Sequence, residues 1–234
     1  MHTSTRAILA AALSAASLTA VQAAAVPSTV ATAPGSPFNT PALAGFATTG
    51  AMMDGMVVTV TFADTTTSSG VWGATGANSG RAFGAGWSLA LDGDSFTSMW
   101  ALGNRGNLAI ASFSIDAAPG STSFDIIASP VLTPGSASGK AFSGVTTSGG
   151  SPTGAHATYS NQLFVGGTFY GDEYELLTVT LDGGLGADSL LQFFADTDNA
   201  KVRGTITPTP EPETYAMLLV GLGCIGYVAR RRRR

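Results

Sequence analysis

Along the middle of the chain, apolar and polar side chains alternate with a period of two. In Met56-Val57-Val58-Thr59-Val60-Thr61-Phe62, residues Met56, Val58, Val60 and Phe62 fall on one face and Val57, Thr59 and Thr61 on the other. That is the pattern of a half-buried strand. Similar runs cover Gly70 to Thr75, Gly86 to Leu91, Thr97 to Gly103, Leu108 to Asp116, Ser123 to Ala128, Leu163 to Tyr170, Tyr174 to Asp182, Leu190 to Asp196 and Lys201 to Ile206. Turn-forming clusters separate them, among them Asp92-Gly93-Asp94, Pro119-Gly120, Pro134-Gly135 and Asp182-Gly183-Gly184. No long window sustains the helical period, so the pattern predicts an all-β domain, a β-sandwich or jelly roll. Between Leu108 and Ile115 the apolar phase changes from even to odd positions. A β-bulge near Ala111 or Ser112 would keep both halves on one core; a strand covered on both sides is the alternative. Two stretches lack the pattern. Residues Ala25 to Asn39 read as a loose lead-in, and residues 133–155 as a long loop or a weak edge strand around Phe142.

The two ends break the alternation altogether. Residues 1–25 place Arg6 before the apolar run Ala7 to Ala20, followed by Val21-Gln22-Ala23 or Ala23-Ala24-Ala25 as a small-residue cleavage site. This is the layout of a secretory signal peptide, cut by signal peptidase during export. At the other end, Pro210, Glu211 and Pro212 cannot enter a helix and predict an exposed, extended segment. An apolar run from Tyr215 to Ala229 follows, and then Arg230, Arg231, Arg232, Arg233 and Arg234. As a helix, Thr214 to Ala229 would reach about 24 Å, short of the roughly 30 Å hydrocarbon core, so a single transmembrane helix here needs bilayer thinning and arginine snorkelling. The arginines would hold that end on the cytoplasmic side. The expected organisation is a signal peptide at 1–25, a β-sandwich ectodomain at 26–207 and a sorting segment at 208–234.

The order Pro210-Glu211-Pro212, Glu213-Thr214-Tyr215-Ala216-Met217-Leu218-Leu219, glycine-bearing apolar run and arginine terminus closely resembles the PEP-CTERM sorting signal of Gram-negative bacteria. The resemblance implies an exosortase as partner, cleavage near the motif, passage through the cytoplasmic membrane as a precursor, and delivery to the cell surface or extracellular space. It also implies company with exopolysaccharide and biofilm matrix. A permanent single-span anchor with a proline-rich stalk is the alternative. Within the apolar run, Gly221-Leu222-Gly223-Cys224-Ile225-Gly226 spells a dinucleotide fingerprint, but no strand, amphipathic helix or acidic residue surrounds it as that site requires.

Removing the two targeting segments changes the charge. The ectodomain keeps five basic and 13 acidic residues, a formal charge of −8 against −4 for the whole chain. Such a surface repels phosphate backbones and argues against nucleic acid as a partner. The sole cysteine, Cys224, lies in the apolar run, so the ectodomain has neither a disulfide nor a thiol nucleophile.

His156 is the one histidine beyond the signal segment, and no Gly-x-Ser-x-Gly elbow accompanies it. A serine triad and a zinc centre both lack parts. Carboxylates gather in Asp92-Gly93-Asp94, Asp172-Glu173-Tyr174-Glu175 and Asp196-Thr197-Asp198-Asn199. Hard oxygen ligands of this kind suit Ca²⁺, best placed at Asp196, Asp198 and Asn199, although turns use the same residues for local hydrogen bonds. A glycosidase would need two facing carboxylates that the sequence does not single out. Trp72, Trp87 and Trp100, with Tyr159, Tyr170 and Tyr174, would either stack on sugars or fill the core, and their strand positions favour the core. The expected function is therefore non-enzymatic: an exported surface or matrix protein without an obligatory cofactor. The alternatives are a carbohydrate-binding module, with or without Ca²⁺, and further off a polysaccharide hydrolase or an ice-binding protein built on Thr59, Thr61, Thr178 and Thr180.

Overall fold

The computed structural model describes residues 24–126, 132–149 and 152–200. The signal-peptide core, the strand expected at Lys201 to Ile206, Pro210, Glu211 and Pro212, the apolar run and Arg230 to Arg234 lie outside the described residues. Among the described residues no helix is long and apolar enough to cross a membrane.

The strands, in chain order, are β1 (Ala24–Ala25), β2 (Ser28–Thr32), β3 (Phe38–Thr40), β4 (Leu43–Gly45), β5 (Val57–Phe62), β6 (Thr67–Val71), β7 (Gly73–Ala74), β8 (Ser79–Gly84), β9 (Trp87–Asp92), β10 (Trp100–Asn104), β11 (Ile110–Asp116), β12 (Thr122–Asp125), β13 (Ser143–Ser148), β14 (Gly154–Val165), β15 (Glu173–Leu185), β16 (Ser189–Phe194) and β17 (Asp196–Ala200). They form two sheets. One runs β1-β13-β16-β10-β9-β8-β7, and the other β4-β17-β12-β15-β11-β5-β6, with β14 also on β15 and with β2 and β3 on β14. All pairings are antiparallel except those of β2 and β3 with β14. The domain is thus all-β, as the period-two pattern predicts.

The alternation decides which side chains meet between the sheets. Val58, Val60, Phe113, Ile115, Leu177 and Val179 from the larger sheet share one buried cluster with Leu89, Leu102, Leu191 and Phe193 from the smaller. Phe193 sits at its centre, with ring centroids 6.1 Å from Trp100, 5.4 Å from Phe113 and 5.0 Å from Phe142. Trp72 and Trp100 are fully buried and their indole N–H groups donate to the carbonyls of Gly50 and Ala195 at 2.7 and 2.8 Å. Trp87 is buried as well. Core filling, not sugar stacking, is the work of all three tryptophans.

The register of β11 shifts between Ile110 and Ser112 against both neighbours, the bulge that the phase change called for. The lead-in is a correction. Residues 28–32 and 38–40 are strands, held parallel to β14 by pairings such as His156 with Thr29 and Leu163 with Phe38. The side chains of 28–32 are all exposed and carry no alternation, those of 38–40 are too few to show one, and the strand that orders both lies more than a hundred residues further along the chain. Residues 143–148 likewise form β13, between β1 and β16, while Phe142 is buried in the core.

Candidate metal centre

Strand β12 is the spine of this region, paired with β15 on one side and β17 on the other. Phe124 of β12 stands opposite Tyr174 of β15 and Thr197 of β17. Phe124 and Tyr174 point into the core. Alternation then sends their neighbours to the other face. Asp125 faces Glu173 on one side and Asp196 on the other, and Ser123 faces Asp198. A 3-10 turn at Ala118–Gly120 and a left-handed Ser121 (φ 55°) separate β11 from β12 and reset the phase that makes this possible. Three strands distant in sequence thereby bring their acids to one patch.

Asp125, Glu173 and Asp198 are fully buried, and one carboxylate oxygen from each lies within 4.8 Å of the others. The segment from 132 to 140 covers them. Ser136 Oγ donates to Asp125 Oδ2 at 2.7 Å, the Lys140 amide donates to the Asp125 carbonyl at 3.2 Å, and Thr133 donates through both its amide (2.7 Å) and its hydroxyl (2.5 Å) to Asp172. Asp125 Oδ1, both oxygens of Glu173, both of Asp198 and the buried Ser123 Oγ have no hydrogen-bond partner. The Lys140 ammonium turns away to the Phe96 carbonyl and lies over the rings of Phe96 and Phe194.

Burial and mutual repulsion act on every acid in the patch. Burial, reinforced by the charges of Asp198, Asp172 and Asp196, raises Asp125 to about 7 against the opposing Ser136 bond. Burial likewise raises Asp196 to about 7 and Asp198 to about 6. Glu173 is pushed well above the carboxylate range by burial first and by Asp198 and Asp125 next.

Of the residues expected to hold a cation, Asp198 belongs to the cluster. Asp196 is on its edge, where its Oδ1 accepts from Ser95 Oγ at 2.7 Å and from the Thr197 amide at 2.8 Å. Asn199 points elsewhere, donating to Thr48 Oγ1 at 2.7 Å. Glu173 stands in one of the carboxylate runs suited to Ca²⁺, though not in the preferred one, whereas Asp125 stands in none of them; its signal is an acid inside a strand and next to a core aromatic, as in Phe124-Asp125, which demands a partner.

A cavity of about 420 Å³ opens beside the patch, lined by Phe46, Ala47, Asp94, Phe96, Asp125, Ala137, Ser138 and Asp196. Its walls are two partly exposed phenylalanines and its floor is acidic. Asp125 and Asp196 are directly opposed in the strand register, so their side chains start about 5 Å apart.

His156 lies on β14. Its Nδ1 is 2.8 Å from Thr29 Oγ1 and its Nε2 2.8 Å from Asp182 Oδ2. These half-exposed groups stand on the outer face of the sheet. The same face aligns Thr61, Ser112, Thr180 and His156 in one row and Thr59, Ser114, Thr178 and Thr158 in the next. The threonine pairs that look isolated in the sequence are thus joined by serines of β11 into a hydroxylated outer face, on a sheet whose strands twist by roughly 20° from one to the next.

No curated protein and no solved structure matches the chain. Residues 208–234 match the family model of the PEP-CTERM protein-sorting motif, so the C-terminal segment of this chain is a PEP-CTERM signal, which supports exosortase-dependent sorting of a secreted protein.

Proposed function

We propose that the chain is an exported, non-catalytic β-sandwich protein of the bacterial cell surface or extracellular matrix, released from its membrane-held precursor by an exosortase cut near Pro210 to Glu213. The observation that carries this reading is the match of residues 208–234 to the PEP-CTERM motif. Strand β1 bears on the other end. Cleavage after Ala23 leaves Ala24 and Ala25 paired with Thr147 and Thr146, whereas cleavage after Ala25 removes that strand. Intact-mass measurement of protein recovered outside the producing cell tests both ends at once. A product running from Ala24 to the Pro210–Glu213 region is expected; a species retaining Arg230 to Arg234 would turn the reading to a permanent anchor. Replacing Pro210, Glu211 and Pro212 with alanine should leave uncleaved precursor in the membrane.

A carbohydrate-binding role in an exopolysaccharide matrix is the second reading. It is favoured by the cavity beside the acidic patch, where Phe46 and Phe96 offer exposed apolar faces and the partly exposed Asp94 offers an acceptor for sugar hydroxyls. Pull-down on the producer's own polymer, with and without chelator, tests it, and no retention under either condition would remove it. Reducing-sugar release by the wild type, abolished in Asp125→Asn, would replace binding with hydrolysis.

A further inference from the structure

We infer that Asp125, Glu173 and Asp198 together hold one Ca²⁺ ion, with Ser123 Oγ as a neutral oxygen donor. This goes beyond the sorting function and does not rest on it. The three carboxylates are drawn from β12, β15 and β17 by strand register, and their nearest oxygens lie within 4.8 Å of one another. Oxygens bound to a single Ca²⁺ at 2.3–2.6 Å stand at most about 5 Å apart, so this arrangement closes on the ion without moving a strand. Ser123 supplies the independent observation. It is fully buried on the same face, opposite Asp198 and two residues from Asp125, and its hydroxyl lies near enough to Glu173 to favour the charged carboxylate yet completes no hydrogen bond. A buried hydroxyl left unpaired beside five unpaired carboxylate oxygens is a donor set lacking its centre.

Charge argues the same way. Among the described residues, Lys140 of the covering segment is committed to the Phe96 carbonyl, and the one ion pair is His156 with Asp182. A divalent cation would neutralise two of the three carboxylates and give their lone pairs a partner. The set is all oxygen, which suits a hard cation. Mg²⁺ fits less well, because it retains several waters and these three carboxylates are fully buried. Sites in extracellular modules bind Ca²⁺ with dissociation constants of about 10⁻⁴ to 10⁻³ M, far too weak to fill in the cytosol. On the sorting reading the site would load after export, so that the acidic face locks only outside the cell.

The test uses the full chain in mild detergent, stripped with EDTA and titrated with CaCl₂ by calorimetry, alongside thermal unfolding. One Ca²⁺ per chain is expected, and at 100-fold excess over the dissociation constant the unfolding midpoint should rise by roughly 5–10 °C. Glu173→Gln and Asp198→Asn keep the shape and remove one charge each. Both should weaken binding by at least about tenfold, and in EDTA both should unfold no earlier than the wild type, since like-charge repulsion is relieved. Asp182→Asn, on the outer face beside His156, should bind as the wild type does. No heat and no midpoint shift at 10 mM CaCl₂, or equal affinity in wild type, Glu173→Gln and Asp198→Asn, would overturn the assignment. Binding that fails while the tail is still cleaved would leave the sorting function standing.

Discussion

Gly139 is the place where the covering segment touches the acidic patch most closely, and replacing it with alanine should detach that cover. A Cβ on Gly139 would lie 2.2 Å from Asp125 Cγ, 2.4 Å from its Oδ1 and 2.5 Å from its carbonyl oxygen. Carbon atoms make ordinary contact at about 3.5 Å, so the segment must retreat by roughly 1 Å, and the carbonyl oxygen belongs to a strand that cannot yield. The hydrogen bonds at risk are Ser136 Oγ to Asp125, the Lys140 amide to the Asp125 carbonyl, and the Asp196 amide to the Lys140 carbonyl at 2.9 Å. With about 1.5–3 kcal/mol for a bond to a charged group and about 1 kcal/mol for each neutral one, less what relaxation recovers, Gly139→Ala should destabilise by about 2–4 kcal/mol. In urea this moves the midpoint down by about 1–2 M. Gly45→Ala is the control, because a Cβ there meets nothing within 4 Å and its backbone lies outside the left-handed region. The assay is equilibrium unfolding of both variants, followed by tryptophan fluorescence. Equal midpoints for Gly139→Ala and Gly45→Ala would refute the close cover.

Other expectations follow from the same structure. Phe193→Ala, at the junction of Trp100, Phe113 and Phe142, should lose about 3–5 kcal/mol in urea unfolding, and a loss under 1 kcal/mol would contradict its central place. Asn104 is buried, donates to the carbonyls of Leu108 and Leu185 at 2.9 and 2.8 Å and accepts from the Gly106 amide at 3.0 Å. Asn104→Ala should therefore lower stability by about 2–3 kcal/mol, measured the same way. In EDTA, the folded chain holds Asp125 and Asp196 at about 7 and Asp198 at about 6, above their ordinary value of 3.8. A raised acid stabilises the fold while protonated, so this contribution is complete below about pH 4 and disappears as the pH passes through 6 to 7. Thermal unfolding in EDTA should accordingly weaken from about pH 4 to about pH 7, and a midpoint that climbs over that range would count against protonated acids in the patch.

The local pattern made some elements legible and others not. Met56 to Phe62 alternates strictly and becomes β5, and the parity change near Ala111 marks a true register shift. Both are properties of neighbouring residues, and a pleated strand imposes them wherever it pairs. β2 carries five exposed residues and no alternation, so nothing in its own sequence says strand. Its order comes from β14, some 125 residues away, as Thr29 meets His156. The acidic patch divides along the same line. Asp198 was visible as one of a run of oxygen ligands, but Asp125 and Glu173 become its companions through the pairing of β12 with β17 and with β15.

By itself the sequence determined the addressing of this protein and the class of its fold. A sorting signal is read as a linear segment, so Pro210 to Arg234 carry their meaning in order and composition, and period-two alternation needs only the geometry of one strand. The tertiary structure decided which carboxylates share a site and which aromatics are buried. Those are questions of strand register, and a register joins residues whose separation along the chain gives no hint of their contact. Asp125, Glu173 and Asp198 lie far apart on the chain, yet their oxygens come within 4.8 Å because two antiparallel pairings align them on one face.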